Sequence, residues 1–277
     1  MRQCIVTGGS GFIGQHLFRR LHESGAKVTL VNDLFHDINQ SDSLASAGPY
    51  EIFHLAGRVG VQSSWQEPVG FIETNVCGTA RVLEFCRKSN SSLRFFSSPK
   101  SFESSFQKRK VENTSHAANP YLFSKDLAEQ ACQFFAMEYG VEVLVVRLFN
   151  VYGPGQSARF LIPMLIEQLI THDKVVVENY ESIRDYIYID DVIDALMMLD
   201  GRTEVSGALN LGTGVGTSVI KIIEALKEIH PRSFETECKP MGKDEEIPVS
   251  IADITNTKRV LAWKPTTTLM DRLKKTY

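Results

Sequence analysis

Cys4-Ile5-Val6-Thr7-Gly8-Gly9-Ser10-Gly11-Phe12-Ile13-Gly14 runs from an apolar, β-branched segment into a glycine turn, and Leu17, Phe18 and Leu21 then recur at helical spacing. The pattern predicts strand, turn and helix. Glycines at such a turn let backbone amides approach a pyrophosphate at the helix N-terminus, where unpaired N–H groups and the helix dipole favour an anion. Gly9, Gly11 and Gly14 satisfy GxGxxG, and Gly8, Gly11 and Gly14 also give GxxGxxG. A glycine turn alone is weak evidence. Framed by a strand and a helix, it points to dinucleotide binding.

Working outward, Gly25 closes the helix and Val28-Thr29-Leu30-Val31 reads as a second buried strand. About 20 residues beyond the glycines, a dinucleotide fold places a carboxylate for the adenosine ribose hydroxyls. Here that point reads Asn32-Asp33, and no Lys or Arg follows through Ser43. A 2′-phosphate would find little compensating charge, so the segment leans towards NAD without excluding NADP. From Asp37-Ile38 to Pro49 the chain is polar and short, with room for a turn or so of helix. Glu51 to Gly57 resumes a buried strand whose small terminal residues let a flat cofactor pack closely. Asn75-Val76-Cys77-Gly78-Thr79 leads a helix with Ala80, Leu83 and Cys86 on one face, and Asn75 is either its N-cap or a cofactor contact.

Leu93 to Phe96 is the next strand, with Ser97-Ser98 at its end. A serine there can orient a substrate oxygen, although such a pair is also ordinary turn chemistry. Lys100 to Ala118 is charged and aperiodic, a surface loop. Asn119-Pro120-Tyr121-Leu122-Phe123-Ser124-Lys125 then opens a helix, Pro120 suiting its first turn. Tyr121 and Lys125 share a face. A phenol titrates near 10, so a useful base at neutral pH needs a shift of about 3 units, roughly 4 kcal/mol. An ammonium about 4 Å away at an effective dielectric of 20 supplies that much. YxxxK by itself is more often an exposed polar pair, and the rest of the chain has to decide.

Val141 to Leu148 is a strongly apolar strand, and the alternation of strands and helices up to it predicts an α/β fold with a Rossmann-type, doubly wound parallel sheet and right-handed crossovers. Gly153-Pro154-Gly155 marks a change of organisation. Residues 1–152 are read as the dinucleotide-binding domain and 153–277 as a smaller α/β substrate-binding domain, with part of 184–208 packing back on the first. Within the second lie a helix from Ile162 to Ile170, a strand from Lys174 to Val177, a strand from Ala208 to Leu211, a helix from Val219 to Ile229 and a less regular tail.

The chain has 277 residues, 43% hydrophobic and 23% charged, enough for one large α/β unit and a smaller companion. A net charge of −3 and a pI near 6.2 give no general attraction to nucleic acid or to anionic membranes, so any phosphate must be held locally. Five scattered cysteines without a CxxC pair fit small core hydrophobes in a reducing compartment. Seven histidines without ligand-like spacing give no reason to expect a metal site. No apolar run reaches the roughly 18 residues of a membrane span, and a soluble cytoplasmic protein is expected.

Taken together, Thr7 to Gly14, His54-Leu55-Ala56-Gly57, Asn75 with Gly78-Thr79, Ser98, Tyr121-x-x-x-Lys125 and Arg147-Leu148-Phe149-Asn150 resemble the extended short-chain dehydrogenase/reductase family. The likeness is greatest to its nucleotide-sugar epimerase and dehydratase branch. Arg184 to Val192, Asn210 to Gly214 and Leu261-Ala262-Trp263-Lys264-Pro265 carry it into the second half. The resemblance implies that Gly8, Gly11, Phe12, Ile13 and Gly14 line the pyrophosphate, with Asn32 and Asp33 at the ribose and Asp37 and Ile38 at the adenine. Leu55, Ala56, Gly57 and Asn75 line the remainder. It further implies that Tyr121 moves a sugar proton while Lys125 lowers its pKa and bonds the nicotinamide ribose. Ser98 holds the substrate oxygen, and Asn150, Arg184 and Lys243 hold the nucleotide diphosphate. Lys243 stands where relatives usually carry arginine, keeping charge but losing the bidentate fork.

Departures from the family pattern sharpen the expectation. Asn32 occupies the usual acid position, and the segment after the second strand is short. Ser97 to Phe102 lacks the Asp-Glu pair of dehydratases, which argues against 4,6-dehydration, and also the usual Val-Tyr-Gly. The first expectation is therefore a nucleotide-sugar 4-epimerase with NAD, as a homodimer of the kind relatives form. The alternatives are an NAD(P)H-dependent reductase of a nucleotide-linked 4-keto-6-deoxysugar and a non-catalytic dinucleotide-binding regulator.

Overall fold

Strand β1 (Gln3–Thr7) sends Cys4 and Val6 into one core and Ile5 into another, as the two-residue period of a strand buried on both faces requires. The structure is a computed structural model that describes residues 2–32, 45–99, 119–172, 174–178, 180, 182–202, 205–239, 249–266 and 268–277. After β1, the glycine turn feeds α1 (Phe12–Glu23), which returns to β2 (Lys27–Val31). β3 (Glu51–His54) follows, then the short α2 (Val61–Gln66). A continuous helical segment comes next: α3 (Pro68–Phe71), a π turn over Ile72–Cys77, and α4 (Gly78–Ser89). β4 (Ser92–Ser97), α5 (Pro120–Tyr139) and β5 (Val143–Leu148) complete the first half.

The second half leaves the sheet at β6 (Asn150–Tyr152), passes through α6 (Leu161–Thr171), β7 (Lys174–Glu178), β8 (Ile183–Tyr188) and α7 (Ile189–Leu199), and rejoins it at β9 (Gly207–Leu211). The result is a six-stranded parallel sheet in the order β2-β1-β3-β4-β5-β9. On one face, Leu17 and Leu21 of α1 share a core with Val192 and Leu196 of α7. On the other, Val82, Leu83 and Cys86 of α4 meet Ala128 and Cys132 of α5. The strand order reverses at β1, and in such sheets the crevice above the carboxyl ends at that point is the ligand site.

Against β8 are laid β6 and β12 (Val249–Ser250) in parallel and β10 (Gly216–Ser218) antiparallel. β11 (Glu235–Lys239) pairs with β7. Helix α8 spans Val219–Ile229, as its periodicity predicts, with Ser218 accepting from the Lys221 amide as N-cap. The tail is more regular than its sequence suggests, adding α9 (Thr255–Leu261) and α10 (Leu269–Thr276).

At the opposite end of the sheet from the crevice, the fully buried Arg94 pairs with Glu51 at 3.1 Å and donates to the Arg202 carbonyl. Glu51 also accepts from the Gly201 amide, and Arg2 pairs with Asp200, so the turn between α7 and β9 is clamped to the sheet. Cys4, Glu51 and Asp200 come within 4.8 Å of one another there, but both carboxylates are already matched by arginines. All five cysteines are free. Among the described residues no helix is long and apolar enough to cross a membrane.

Candidate active site

The glycine turn is shaped by close approach. Gly8 adopts φ +69°, and a Cβ there would lie 2.6 Å from the Ala56 nitrogen; at Gly14 it would lie 2.2 Å from the Gly8 carbonyl oxygen. Only glycine fits at either position. No side chain caps α1 and no acidic residue stands in its first turn, so its leading amides face the crevice without a competing carboxylate. Phe12 and Ile13 turn their side chains into the core beside Leu17, leaving the backbone to the crevice. Asn32 is exposed immediately after β2. Asp33, Asp37 and Ile38 lie outside the described residues, as does Lys243.

Leu55, Ala56 and Gly57 leave the end of β3 half-buried. A Cβ on Gly57 would sit 3.0 Å from Asn75 Oδ1 and 3.2 Å from Lys125 Nζ, so this residue forms a floor pressed against both side chains. Asn75 does not cap a helix. The helix starts earlier, at Pro68, and Asn75 sits inside the π turn, where the widened backbone brings its side chain inward. Its Oδ1 accepts from the Arg58 amide at 2.8 Å, while Nδ2 donates to the Arg58 carbonyl and to Ser124 Oγ. Both amide protons are thus committed to protein.

Helix α5 begins with Asn119 as N-cap, its Oδ1 accepting from the Leu122 amide at 2.9 Å, and with Pro120 in the first turn. This start sets Tyr121 and Lys125 one turn apart over the carboxyl end of β4. Tyr121 is half-buried, packs edge-on to Phe71 at 6.2 Å and hydrogen-bonds Ser98. Ser98, Tyr121 and Lys125 are therefore brought together.

The electrostatics differ from the expectation. Lys125 donates to the Phe96 carbonyl at 2.9 Å and stands 5.2 Å from the Phe95 ring centre. Burial pulls its pKa down to about 8, with Cys132 and Glu129 acting in the other direction. Burial also pushes the Tyr121 phenol above its ordinary value, and the Ser98 hydrogen bond draws it back; the Lys125 charge is not among the influences on it. Desolvation of the phenol is the larger influence on Tyr121. Next to Lys125, Glu129 holds Arg147 in a two-point pair with bonds of 3.1 and 2.9 Å.

Across the crevice, Asn150 and Arg184 lie on the paired strands β6 and β8. Asn150 Nδ2 donates to the Asp185 carbonyl, and Arg184 Nη1 to the Ile183 carbonyl. Asp185, which sequence reading did not single out, is fully buried. It accepts from the Thr213 amide and hydroxyl, the Gly214 amide and the Ala252 amide, anchoring the turn beside Arg184. An acid between Arg184 and Tyr186 in an apolar strand was its one sequence signal.

Comparison with known proteins identifies the family. Residues 4–212 match the model of the NAD dependent epimerase/dehydratase family. A GDP-6-deoxy-D-talose 4-dehydrogenase of Aggregatibacter actinomycetemcomitans is 30% identical, over 93% of this chain and 90% of its own length. A putative UDP-glucose 4-epimerase of Methanocaldococcus jannaschii is 27% identical, over 98% and 96%. Among solved structures, a UDP-glucose 4-epimerase of Thermotoga maritima with UDP-glucose superposes with a TM-score of 0.86 at 31% identity, covering 99% of this chain and 97% of that one. On the family match and these relatives, the chain belongs to the NAD-dependent epimerase/dehydratase family, the nucleotide-sugar branch of the extended short-chain dehydrogenases/reductases.

Proposed function

We propose that this protein is a nucleotide-sugar 4-epimerase working with bound NAD. The observation that carries the reading is the meeting of Ser98, Tyr121 and Lys125 above the Gly57 floor, at the carboxyl ends of the strands where the sheet order reverses. The residues fit a dinucleotide: the glycine turn is too tight for side chains, and the first turn of α1 offers amides without an acid. In this reading Gly8, Gly11, Phe12, Ile13 and Gly14 hold the pyrophosphate. Asn32 and Asp33 hold the ribose, Asp37 and Ile38 the adenine, and Leu55, Ala56, Gly57 and Asn75 the remainder.

Bound at this site, NAD would supply the hydride acceptor and donor for the sugar carbon. Tyr121 takes the proton from the C4 hydroxyl, which Ser98 orients, and returns it to the oxygen after the keto sugar has turned over. With a pKa of about 8, Lys125 is cationic by about ten to one at pH 7, and in this reading it bonds the nicotinamide ribose. Asn150 and Arg184, with Lys243, hold the diphosphate of the sugar nucleotide, guanidinium geometry suiting phosphate. A cytoplasmic homodimer is part of the proposal, with Phe134, Met137 and Tyr139, exposed on α5, as its face. A single-chain mass in light scattering would overturn that part.

The second reading, a ketosugar reductase, is favoured by the likeness to the Aggregatibacter dehydrogenase and by Asn32 at the ribose position. Incubation of the pure protein with a panel of UDP- and GDP-sugars, without added cofactor, decides between them. Formation of the 4-epimer supports the first. Turnover that needs stoichiometric NADH or NADPH and a 4-keto-6-deoxysugar supports the second, and no turnover of either kind overturns both. The non-catalytic alternative is disfavoured because Ser98, Tyr121 and Lys125 are all present and in register.

A further inference from the structure

His54 is the buried titratable group that the proposed chemistry leaves without a task. Its ring lies at the end of β3, with both nitrogens engaged: Nδ1 is 2.7 Å from Thr7 Oγ1, and Nε2 is 3.0 Å from Thr79 Oγ1. The neighbours determine which nitrogen carries the proton. Thr79 donates its single hydroxyl proton to the Asn75 carbonyl at 2.6 Å, so its oxygen can only accept from His54. Nε2 therefore bears the hydrogen. In a neutral ring Nδ1 then accepts, which makes Thr7 the donor, and the Thr7 oxygen is left to accept from the Ala56 amide at 3.2 Å. Each side-chain donor and acceptor along this line from Thr7 to Thr79 is then matched in one direction.

Neutrality follows from the surroundings. The ring is 1% exposed, packs near Phe95, and the charge it faces is the Lys125 ammonium. Burial first, and then Lys125, push the His54 pKa down to about 3. A second positive charge there would oppose the one the site uses.

The line of bonds continues at both ends. Thr7 is the last residue before the glycine turn, and Ala56 packs against Gly8. From Asn75, the side-chain amide reaches Ser124 Oγ at 2.8 Å, and Ser124 donates to the Tyr121 carbonyl at 2.7 Å. We propose that His54 is a positioning residue that braces the two halves of the site through a fixed Nε2–H tautomer. Its Nδ1 edge holds Thr7 and Ala56, and so the cofactor turn; its Nε2 edge holds the π turn through Thr79 and Asn75, and so Tyr121. The kinetic part rests on the epimerase reading above; the tautomer and the cofactor affinity do not.

Three substitutions separate the edges. An asparagine amide overlays the Nδ1 edge, a glutamine amide reaches the Nε2 edge, and phenylalanine keeps the ring and loses both. His54→Gln is expected to weaken NAD binding, measured by calorimetry, about tenfold while kcat stays within about twofold. His54→Asn is expected to keep the NAD Kd and lower kcat about tenfold, and His54→Phe to do both, tenfold being about the worth of one buried hydrogen bond. Thr79→Val, which cuts the same edge without touching the imidazole, should behave like His54→Asn and serves if a ring variant fails to fold. In the unaltered protein, ¹⁵N resonances of the imidazole should show an Nε2–H tautomer that does not titrate between about pH 5.5 and 8.5. An Nδ1–H ring, a ring that titrates in that window, or variants that lose thermal stability alike with NAD Kd and kcat unchanged would overturn the proposal. If the protein turns over no sugar, the epimerase reading fails by itself, and the tautomer and the order of NAD affinities still decide the role of His54.

Discussion

Replacing Lys125 with methionine should make the protein more stable near neutral pH while removing a cation from the candidate site. The folded protein holds this ammonium at about 8 against an ordinary 10.5, a depression of about 2.5 units. At about 1.36 kcal/mol per unit, that is a cost to folding of about 3 kcal/mol wherever the group is charged in both states. Between pH 8 and 10.5 the unfolded chain binds more protons than the folded one, so stability rises with pH across that window and the cost is fully present below it. Methionine keeps the packing of the aliphatic stem, while loss of the bond to the Phe96 carbonyl costs about 1 kcal/mol at every pH. The variant should therefore lead by about 2 kcal/mol at pH 7 and trail by about 1 kcal/mol above pH 10.5, a swing of about 3 kcal/mol. Denaturant unfolding of both proteins at stepped pH measures this; taking the difference cancels the titrating groups that Lys125 does not touch, and His54, which it does, stays neutral across this range. A difference that stays flat from pH 7 to 10.5, or a variant already less stable at pH 7, would refute the placement of a desolvated ammonium at this position.

Two further outcomes follow from the crevice. Arg184→Ala should weaken nucleotide-sugar binding by about 10- to 100-fold, the range of a charge-assisted bond to phosphate, with Arg184→Lys recovering part of it. A substrate Kd unmoved by the alanine would remove Arg184 from the site. Gly14→Ala forces a Cβ to within 2.2 Å of the Gly8 carbonyl oxygen unless the turn opens, so NAD affinity should fall at least about tenfold. An NAD Kd within about twofold of the parent's would contradict the cradle described above.

What could be read from the sequence was what depends on near neighbours. The glycine turn and α1 are a local pattern, as are the Asn119-Pro120 start of α5 and the Val219–Ile229 helix, and each lies where its capping and spacing put it. The shared face of Tyr121 and Lys125 follows from helical spacing alone, but the partner chosen by the ammonium does not. Phe96 is 29 residues away in sequence, and only the packing of α5 on β4 makes its carbonyl the acceptor. The helix that the sequence places from Asn75 begins at Pro68, where Gly70 in the first turn weakens the helical signal. The π turn that carries Asn75 is stabilised by tertiary bonds to Arg58 and Ser124 rather than by propensity. The Thr7-His54-Thr79 line joins two strands and a helix, and no spacing rule brings those three residues together. Nor did local pattern reveal that β9 closes the first sheet, since its five residues look like any short buried strand.

The central claim is that Tyr121 carries the proton in the reaction, and its most direct test is Tyr121→Phe, assayed on whichever sugar nucleotide the panel identifies. The substitution removes one oxygen from a half-buried ring and leaves its packing on Phe71 in place. In that variant kcat should fall by about 10²- to 10⁴-fold, the usual contribution of a positioned proton-transfer group, with the NAD Kd within about twofold of the parent's. A phenylalanine variant that turns over at the parent's rate would contradict the claim.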